Sequence, residues 1–273
     1  MNLKTYAEIT WCPGCGNFAI LNALRKVLED MDPKKTVMVS GIGCHGKIVD
    51  YVNISSFYAI HGRVPCAATG IKLGNPELKV IGFAGDGDAY GEGLEHLLFA
   101  AKRNIDITMV VHNNRIYALT TGQFTPTSPQ GFRGKSTPAG TPEKPFNPLE
   151  LLFAAGATFI ARSYSNRPKN LRMVLREAIK HRGFSFVDVL QPCYTFFNTY
   201  DFYNERVYEL ESHDPSDRKA AEEKIREWDY NSDSKIPIGI FYKEERETFD
   251  EAVYSEGKKL GFREIEEFLK RHI

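Results

Sequence analysis

The stretch that decides the fold is "KVIGFAGDGDAYGEG", residues 79–93. An apolar, β-favouring run ends in Gly85-Asp86-Gly87-Asp88, and a helix-period segment follows over 91–103. A glycine-rich turn between a strand and a helix is a common seat for phosphate in α/β proteins. Carboxylates repel phosphate, yet this turn holds two of them. A divalent cation held by Asp86 resolves the conflict, the glycines leaving room for a diphosphate that the ion binds.

Outward from this turn, short apolar runs recur: "TVMVSG" (36–41), "KVIGFA" (79–84), "ITMVVH" (107–112), "ATFIAR" (157–162) and "FSFVDVL" (184–190). They alternate with helix-period segments at 18–31, 91–103 and 168–182. That rhythm predicts an α/β chain, a parallel sheet with helices on both faces. Residues 120–148 hold six of the 14 prolines. Strands of the same rhythm follow, so this stretch reads as a long ordered loop inside the domain rather than a linker. Beyond Gln191 the chain becomes aromatic ("YTFFNTYDFYNERVY") and then offers a charged helix near 216–228. The expected division is a main domain over 1–193 and a C-terminal extension over 194–273 that packs on it or on a partner.

The 273 residues carry 35 basic and 35 acidic side chains, which argues for neither nucleic acid nor an anionic membrane as a partner. No uncharged run approaches the roughly 18 residues of a membrane span, and the N-terminus has no signal-like apolar region. A cytoplasmic protein is expected. Five cysteines in such a chain argue against a disulfide framework.

Ligands of open α/β sheets bind beyond the carboxyl ends of the strands. Four of the five runs end there in chemically loaded residues: Cys44 and His45, the Gly85-Asp86-Gly87 turn, Asn113-Asn114, and Cys193 in "QPC". Asp86 and Asn114 are 28 residues apart, enough for one helix and one strand. A right-handed βαβ unit then brings both to one sheet edge. Their oxygens suit Mg²⁺ or Ca²⁺, with backbone carbonyls after Asn114 and a diphosphate completing the shell. The rival reading is the G-x-G-x-x-G of residues 41–46, a dinucleotide fingerprint. It fails because no acidic residue lies between Tyr51 and Pro76 to hold a ribose. No P-loop sequence occurs either.

Cys12 and Cys15 form a C-x-x-C, and Asn17 is placed to cap the helix that follows. With Cys44 and Cys193 past strand ends, four thiolates could serve an iron–sulfur cluster, which tolerates dispersed ligands, or zinc. Both remain open on spacing alone. Cys66, in "VPCAATG", fits a core position.

Together, "WCPGCGN", "SGIGCHGKI", "HGR", "ATGIKLGNP", "GDGDAYGEG", "NNRIYALTTGQFTPTS", "DVLQPC" and "PIGIFY" resemble the β subunits of 2-oxoacid:ferredoxin oxidoreductases. The resemblance covers most of the chain and implies the thiamine diphosphate-binding fold. It implies a [4Fe–4S] cluster on Cys12, Cys15, Cys44 and Cys193, and Mg²⁺ on Asp86, Asn114 and the carbonyl of Ile116. Thiamine diphosphate would lie against Ile42, Gly43, Cys44, His45, Gly87, Asp88, Ala118 and Leu119, with His61 nearby. His45 stands where a small residue is expected after the cysteine.

The implied activity is oxidative decarboxylation of a 2-oxoacid to acyl-CoA and CO₂, with electrons passed through the cluster to ferredoxin. The short chain and its "WCPGCGN" opening look more like the 2-oxoglutarate branch than the pyruvate branch. Lys47 and Arg63, with His61, are the candidates for substrate or cofactor contact. The chain alone is expected to be inactive. An α subunit would supply the activating glutamate and most 2-oxoacid and coenzyme A contacts, with γ and δ ferredoxin-like subunits carrying further clusters. Residues 120–148 and 194–208 are the expected interface. Two other classes fit part of the pattern: a non-oxidative thiamine diphosphate decarboxylase or synthase, and a structural metal-binding or electron-carrier protein.

Overall fold

A computed structural model describes residues 3–256 together with Glu267, Lys270 and Arg271. Its frame is an eight-stranded sheet built from β1 (Thr36–Ser40), β2 (Ser55–Tyr58), β3 (Lys79–Gly85), β4 (Ile107–Asn113), β7 (Phe159–Tyr164), β8 (Ser185–Leu190), β9 (Val207–Glu209) and β10 (Ile236–Lys243), in the order β2-β1-β3-β4-β8-β7-β10-β9. Every neighbouring pair is parallel except β7 with β10. Two short strands, β5 (Ile116–Tyr117) and β6 (Gln123–Phe124), form a separate hairpin.

Helices α1 (Asn17–Leu28) and α5 (Pro168–Lys180) cover one face of the sheet, with Ile20, Leu24, Leu171 and Val174 buried against Phe83 and Val187. The other face carries α2 (Val64–Gly74), α3 (Leu94–Arg103), α4 (Pro148–Ala154), α6 (Tyr200–Arg206) and α7 (Arg218–Arg226), packed through Ala68, Leu97, Leu152, Tyr203 and Ile225. Sheet strands such as β4 are buried at every position, as continuous apolar runs between two helical layers require. None of the described helices is long and apolar enough to cross a membrane.

All five expected strands form, the run at 157–162 shifted by two residues to 159–164. Those that went unrecognised have weak signals. β2 is exposed at all four positions, and β10, "IPIGIFYK", holds a proline and a glycine that argue against a strand. β9 and β10 add the segment after residue 193 to the same sheet, at the edge beyond β7.

What the topology delivers is adjacency. β1, β3, β4 and β8 are consecutive neighbours and run in the same direction. Their carboxyl ends therefore bring the loops of Cys44, Asp86, Asn114 and Cys193 side by side. At the opposite end, a buried ion pair ties the layers. The Lys72 ammonium donates to Asp106 at 2.6 Å and to the carbonyls of Pro76 and Leu78. Asp106 also accepts from Gly183 N–H, and its own N–H donates to Asp250 on α8 (Phe249–Glu256).

Burial alone would raise the Asp106 pKa, but Lys79, Lys72 and the Gly183 N–H outweigh it and hold the carboxyl below its ordinary range. A depressed carboxyl contributes stability above its unfolded pKa, and loses it as pH falls through the lower folded value. Asp106→Asn is expected to lower stability at neutral pH by about 1.5–3 kcal/mol, since it removes the nearer carboxylate and leaves buried Lys72 with only Asp250, 3.9 Å away, as counter-charge. Urea unfolding across a pH series should show the gap to wild type closing as pH drops below about 4. A gap independent of pH would refute the ion-pair reading.

Candidate functional site

Two cavities open where the four strand ends meet. The first, about 90 Å³, is lined by Ile42, Gly43, Cys44, His45, His61, Asp86, Gly87, Asp88, Asn114, Ile116, Ala118 and Leu119, among others. These are the residues expected from sequence to meet thiamine diphosphate and Mg²⁺. The second, about 230 Å³, is lined by Cys12, Cys15, Cys44 and Cys193 together with Trp11, Asn17, Lys47 and Gln191. Cys44, Asn114, Ala118 and Leu119 line both, so the cavities share a wall.

Asp86 sits at the end of β3 and is buried. One carboxylate oxygen accepts the Asn114 N–H at 3.3 Å; the other accepts the hydroxyls of Thr125 at 2.5 Å and Thr127 at 2.9 Å. Burial pushes its pKa up to about 6 against those hydroxyl hydrogen bonds. None of the three donors is a cation, so a buried charge remains that a divalent ion at this spot would compensate. The Asn114 carboxamide oxygen accepts from the Ile116 N–H at 3.1 Å, which aligns the two other expected ligands on one turn.

Asp88 answers the second half of the charge puzzle differently. It is buried and accepts the Gly62 N–H at 2.7 Å, with His45 Nε2 at 3.2 Å and His61 Nδ1 at 3.4 Å on either side. A backbone N–H and two imidazoles lie against this carboxylate. His45 Nε2, His61 Nδ1 and one Asp88 oxygen lack an aligned hydrogen-bond partner, so polar capacity is left over in the wall of the cavity. The glycines also need a second explanation. A Cβ at Gly87 would strike the Tyr117 ring, whose hydroxyl donates to the Gly87 carbonyl at 3.1 Å. Close protein packing demands bare backbone there before any diphosphate is considered.

Around the second cavity, the C-x-x-C closes a tight turn, with Cys15 N–H donating to the Cys12 carbonyl at 3.1 Å and Gly14 at φ +79°. Trp11 donates its indole N–H to the Cys44 carbonyl at 2.7 Å, fastening this turn to the loop after β1. Burial pushes the Cys15 thiol up to about 12, and the Cys193, Cys44 and Cys12 sulfurs add to the effect. Four thiolates here would need strong positive charge between them. Among the described residues, no three His, Cys, Asp or Glu side chains converge as the ligands of one ion do.

Three expectations change. Asn17 does not cap α1: it is the first helical residue, and its side-chain oxygen instead lies 2.7 Å from His112 Nδ1. Cys66 is exposed on α2 rather than in the core. Arg63 lines neither cavity and pairs with Glu95 at 3.3 Å. Lys47 does line the second cavity, donating to Thr10 at 2.9 Å. Thr125, Thr127 and Gln191 were not foreseen as site residues. The threonines lie in the proline-rich loop, on a turn closed by the Ser128 N–H donating to the Thr125 carbonyl at 3.0 Å, and no local sequence signal aims both hydroxyls at Asp86.

The comparisons with known proteins fall on this same geometry. Residues 41–189 match the family model described as thiamine pyrophosphate enzyme, C-terminal TPP binding domain, and residues 192–256 match the model for the C-terminal part of the pyruvate ferredoxin oxidoreductase beta subunit. The 2-oxoacid:ferredoxin oxidoreductase 1, subunit beta, of Aeropyrum pernix is 43% identical over 255 residues, covering 88% of this chain and 79% of that protein. The 2-oxoglutarate synthase subunit KorB of Archaeoglobus fulgidus is 40% identical over 248 residues, covering 89% of this chain and 88% of that protein. Among solved structures, the 2-oxoglutarate:ferredoxin oxidoreductase from Magnetococcus marinus, with 2-oxoglutarate, coenzyme A and succinyl-CoA bound, superposes with a TM-score of 0.90 at 34% identity, covering 98% of this chain and 94% of that one. With a thiamine diphosphate-binding fold and relatives matched over most of their length, the chain belongs to the β subunits of the 2-oxoacid:ferredoxin oxidoreductases.

Proposed function

We propose that this chain is the cofactor-binding subunit of an enzyme that oxidatively decarboxylates a 2-oxoacid, with 2-oxoglutarate favoured, to acyl-CoA and CO₂ and passes the electrons to ferredoxin. The single observation that carries this reading is the wall shared by the two cavities, with Cys44 in it. When bound, thiamine diphosphate would supply a carbon nucleophile and electron sink, Mg²⁺ the charge that holds its diphosphate, and a [4Fe–4S] cluster one-electron transfer. Asp86, Asn114 and the Ile116 carbonyl would hold the ion. Cys12, Cys15, Cys44 and Cys193 would hold the cluster. Non-oxidative thiamine diphosphate chemistry has no use for the four gathered thiols, and an electron carrier has no use for the Asp86 site.

A partner subunit follows from what the first cavity lacks. Its volume of about 90 Å³ is well below the roughly 300–1,000 Å³ of a cofactor cleft, and no glutamate is among its lining residues. Ile42 and Leu119 at this cavity, and Tyr194 and Phe196 at the second, are exposed. An α subunit seated on this face would bury them, complete the cleft and exclude water. In the 120–148 segment, by contrast, Thr125, Thr127 and Ser128 are buried within the chain, so only its outer part is available to a partner. Cytoplasmic location and further ferredoxin-like subunits belong to this proposal.

The two sites should separate by mutation. Cys12→Ser, Cys15→Ser, Cys44→Ser and Cys193→Ser are each expected to lose iron and visible absorption, while exposed Cys66→Ser keeps both. Asp86→Asn should keep the iron but weaken Mg²⁺-dependent thiamine diphosphate binding by about tenfold or more. Metal analysis and cofactor titration on anaerobic preparations decide it; one zinc per chain without iron or sulfide would sink the cluster assignment.

For the substrate, the names of the Archaeoglobus and Magnetococcus relatives support 2-oxoglutarate. Lys47, which lines the second cavity, is the candidate cation on this chain for the distal carboxylate. The complex is expected to show kcat/KM for 2-oxoglutarate above that for pyruvate by about tenfold or more, and the reverse order would overturn this choice.

A further inference from the structure

The Gln191 side chain lines the second cavity, and its contacts reach Cys15 there and Asn114, which lines both. It is buried. Its amide oxygen accepts from Asn114 Nδ2 at 3.3 Å. Its amide nitrogen donates to the Pro192 carbonyl at 2.7 Å and to Cys15 Sγ at 3.7 Å. An amide nitrogen has two hydrogens, so both acceptors are served. The reversed amide would set N–H against N–H at Asn114 and oxygen against oxygen at Pro192, so the orientation is fixed by chemistry.

A second observation points the same way. Gly16, the residue after Cys15, has an ordinary helical φ of −61°, so no backbone requirement selects glycine. The requirement is room: a Cβ there would lie 3.0 Å from Gln191 Cγ, 3.2 Å from its amide nitrogen and 2.9 Å from Ser165 Oγ. The C-x-x-C turn is built to let Gln191 lie across it.

We infer that Gln191 is a positioning residue that couples the two cofactor sites, donating an N–H···S hydrogen bond to the cluster ligand Cys15 while fixing the metal ligand Asn114. The inference rests on the proposed cluster and metal assignments. A hydrogen bond to a sulfur ligand stabilises the more negative, reduced cluster and raises its potential. At the other end, holding Asn114 Nδ2 turns its oxygen toward the Ile116 turn, beside the Asp86 carboxylate that accepts the Asn114 N–H. One buried side chain thus sets a redox property at one cofactor and a ligand orientation at the other.

Two substitutions pull these roles apart. Gln191→Met has a similar length and loses both hydrogen bonds. Gln191→Glu keeps an acceptor for Asn114 but replaces the N–H facing Cys15 with a carboxylate oxygen. In the anaerobically purified holoenzyme, the cluster midpoint potential is read by EPR-monitored titration, and thiamine diphosphate Kd by tryptophan fluorescence at fixed Mg²⁺. Gln191→Met should move the midpoint negative and raise Kd by about tenfold. Gln191→Glu should move the midpoint further negative and leave Kd unchanged. A wild-type midpoint in either variant with full iron and sulfide refutes the inference, and so does a fall in melting temperature alone. Should neither variant assemble a cluster, an unchanged Kd in Gln191→Met refutes it. Absence of iron and sulfide from wild type would instead overturn the cluster assignment itself.

Discussion

The structure is organised around the buried carboxylate of Asp86, which among the described residues has no cationic partner. Removing a carboxylate from water costs several kcal/mol even after the protein relaxes, and hydrogen bonds to a charged group return about 1.5–3 kcal/mol each. Asp86 receives them from the Asn114 N–H and from the hydroxyls of Thr125 and Thr127, and burial still outweighs the hydroxyls enough to push its pKa up to about 6. The hydrogen bonds therefore compensate the buried charge only in part. Three separate chain segments must converge to reach even that balance, which explains the long loop after β5. Thr125 and Thr127 sit on a turn closed by the Ser128 N–H donating to the Thr125 carbonyl at 3.0 Å, and that turn brings both hydroxyls to one Asp86 oxygen.

Behind Asp86 the polar contacts continue inward. Thr127 also lies 3.0 Å from the Asn113 carboxamide oxygen, and Asn113 donates to Asp188 at 3.0 Å. Asp188 accepts further from Tyr90 at 2.8 Å and Tyr230 at 2.6 Å. Arg162 faces Asp188 across the β7–β8 ladder, its guanidinium set among Trp228, Tyr230 and Phe241. Arg115, a non-glycine residue at φ +64°, is held by the carbonyls of Thr127 and Tyr230. A left-handed residue of this kind costs on the order of 1–3 kcal/mol and persists only where its surroundings hold it. It turns the chain between Asn114 and Ile116, and one of its two anchors, Tyr230, lies in the segment after residue 193. That segment is the back wall of the site as well as the edge of the sheet.

What was legible in the sequence follows from the range of the forces involved. The strands with continuous apolar runs were readable because burial on two faces leaves a local signature, as in β4. The meeting of Asp86 and Asn114 was readable because a βαβ unit has a fixed hand. The residues that hold those two in place were not, because their contacts span long separations: Thr127 to Asp86 across 41 residues, Gln191 to Cys15 across 176. Asn17 shows the same limit in reverse. Local preference makes it a cap, but His112, 95 residues away in sequence, takes its side-chain oxygen. Cys66 failed for a related reason, since small apolar neighbours do not reveal which side of α2 a residue occupies.

A physical division of labour between this chain and its partner emerges from where rigidity is available. Anionic groups need charge and dipoles held at fixed distances, and the aligned ends of β1, β3, β4 and β8 provide that frame. The thiols gathered at the second cavity, Cys15 among them pushed upward by burial, are likewise held in a fixed frame by the fastening of Trp11 to the Cys44 carbonyl and of Gly16 N–H to the Pro192 carbonyl. The organic end of a cofactor asks for less: an apolar cleft closed against water. Ile42 and Leu119 offer only one exposed wall of such a cleft. A chain that keeps the charged ends and leaves the apolar end half-built gains a requirement for assembly. The first cavity would then be enclosed only when the partner is seated, beside the wall that Cys44 shares with the second.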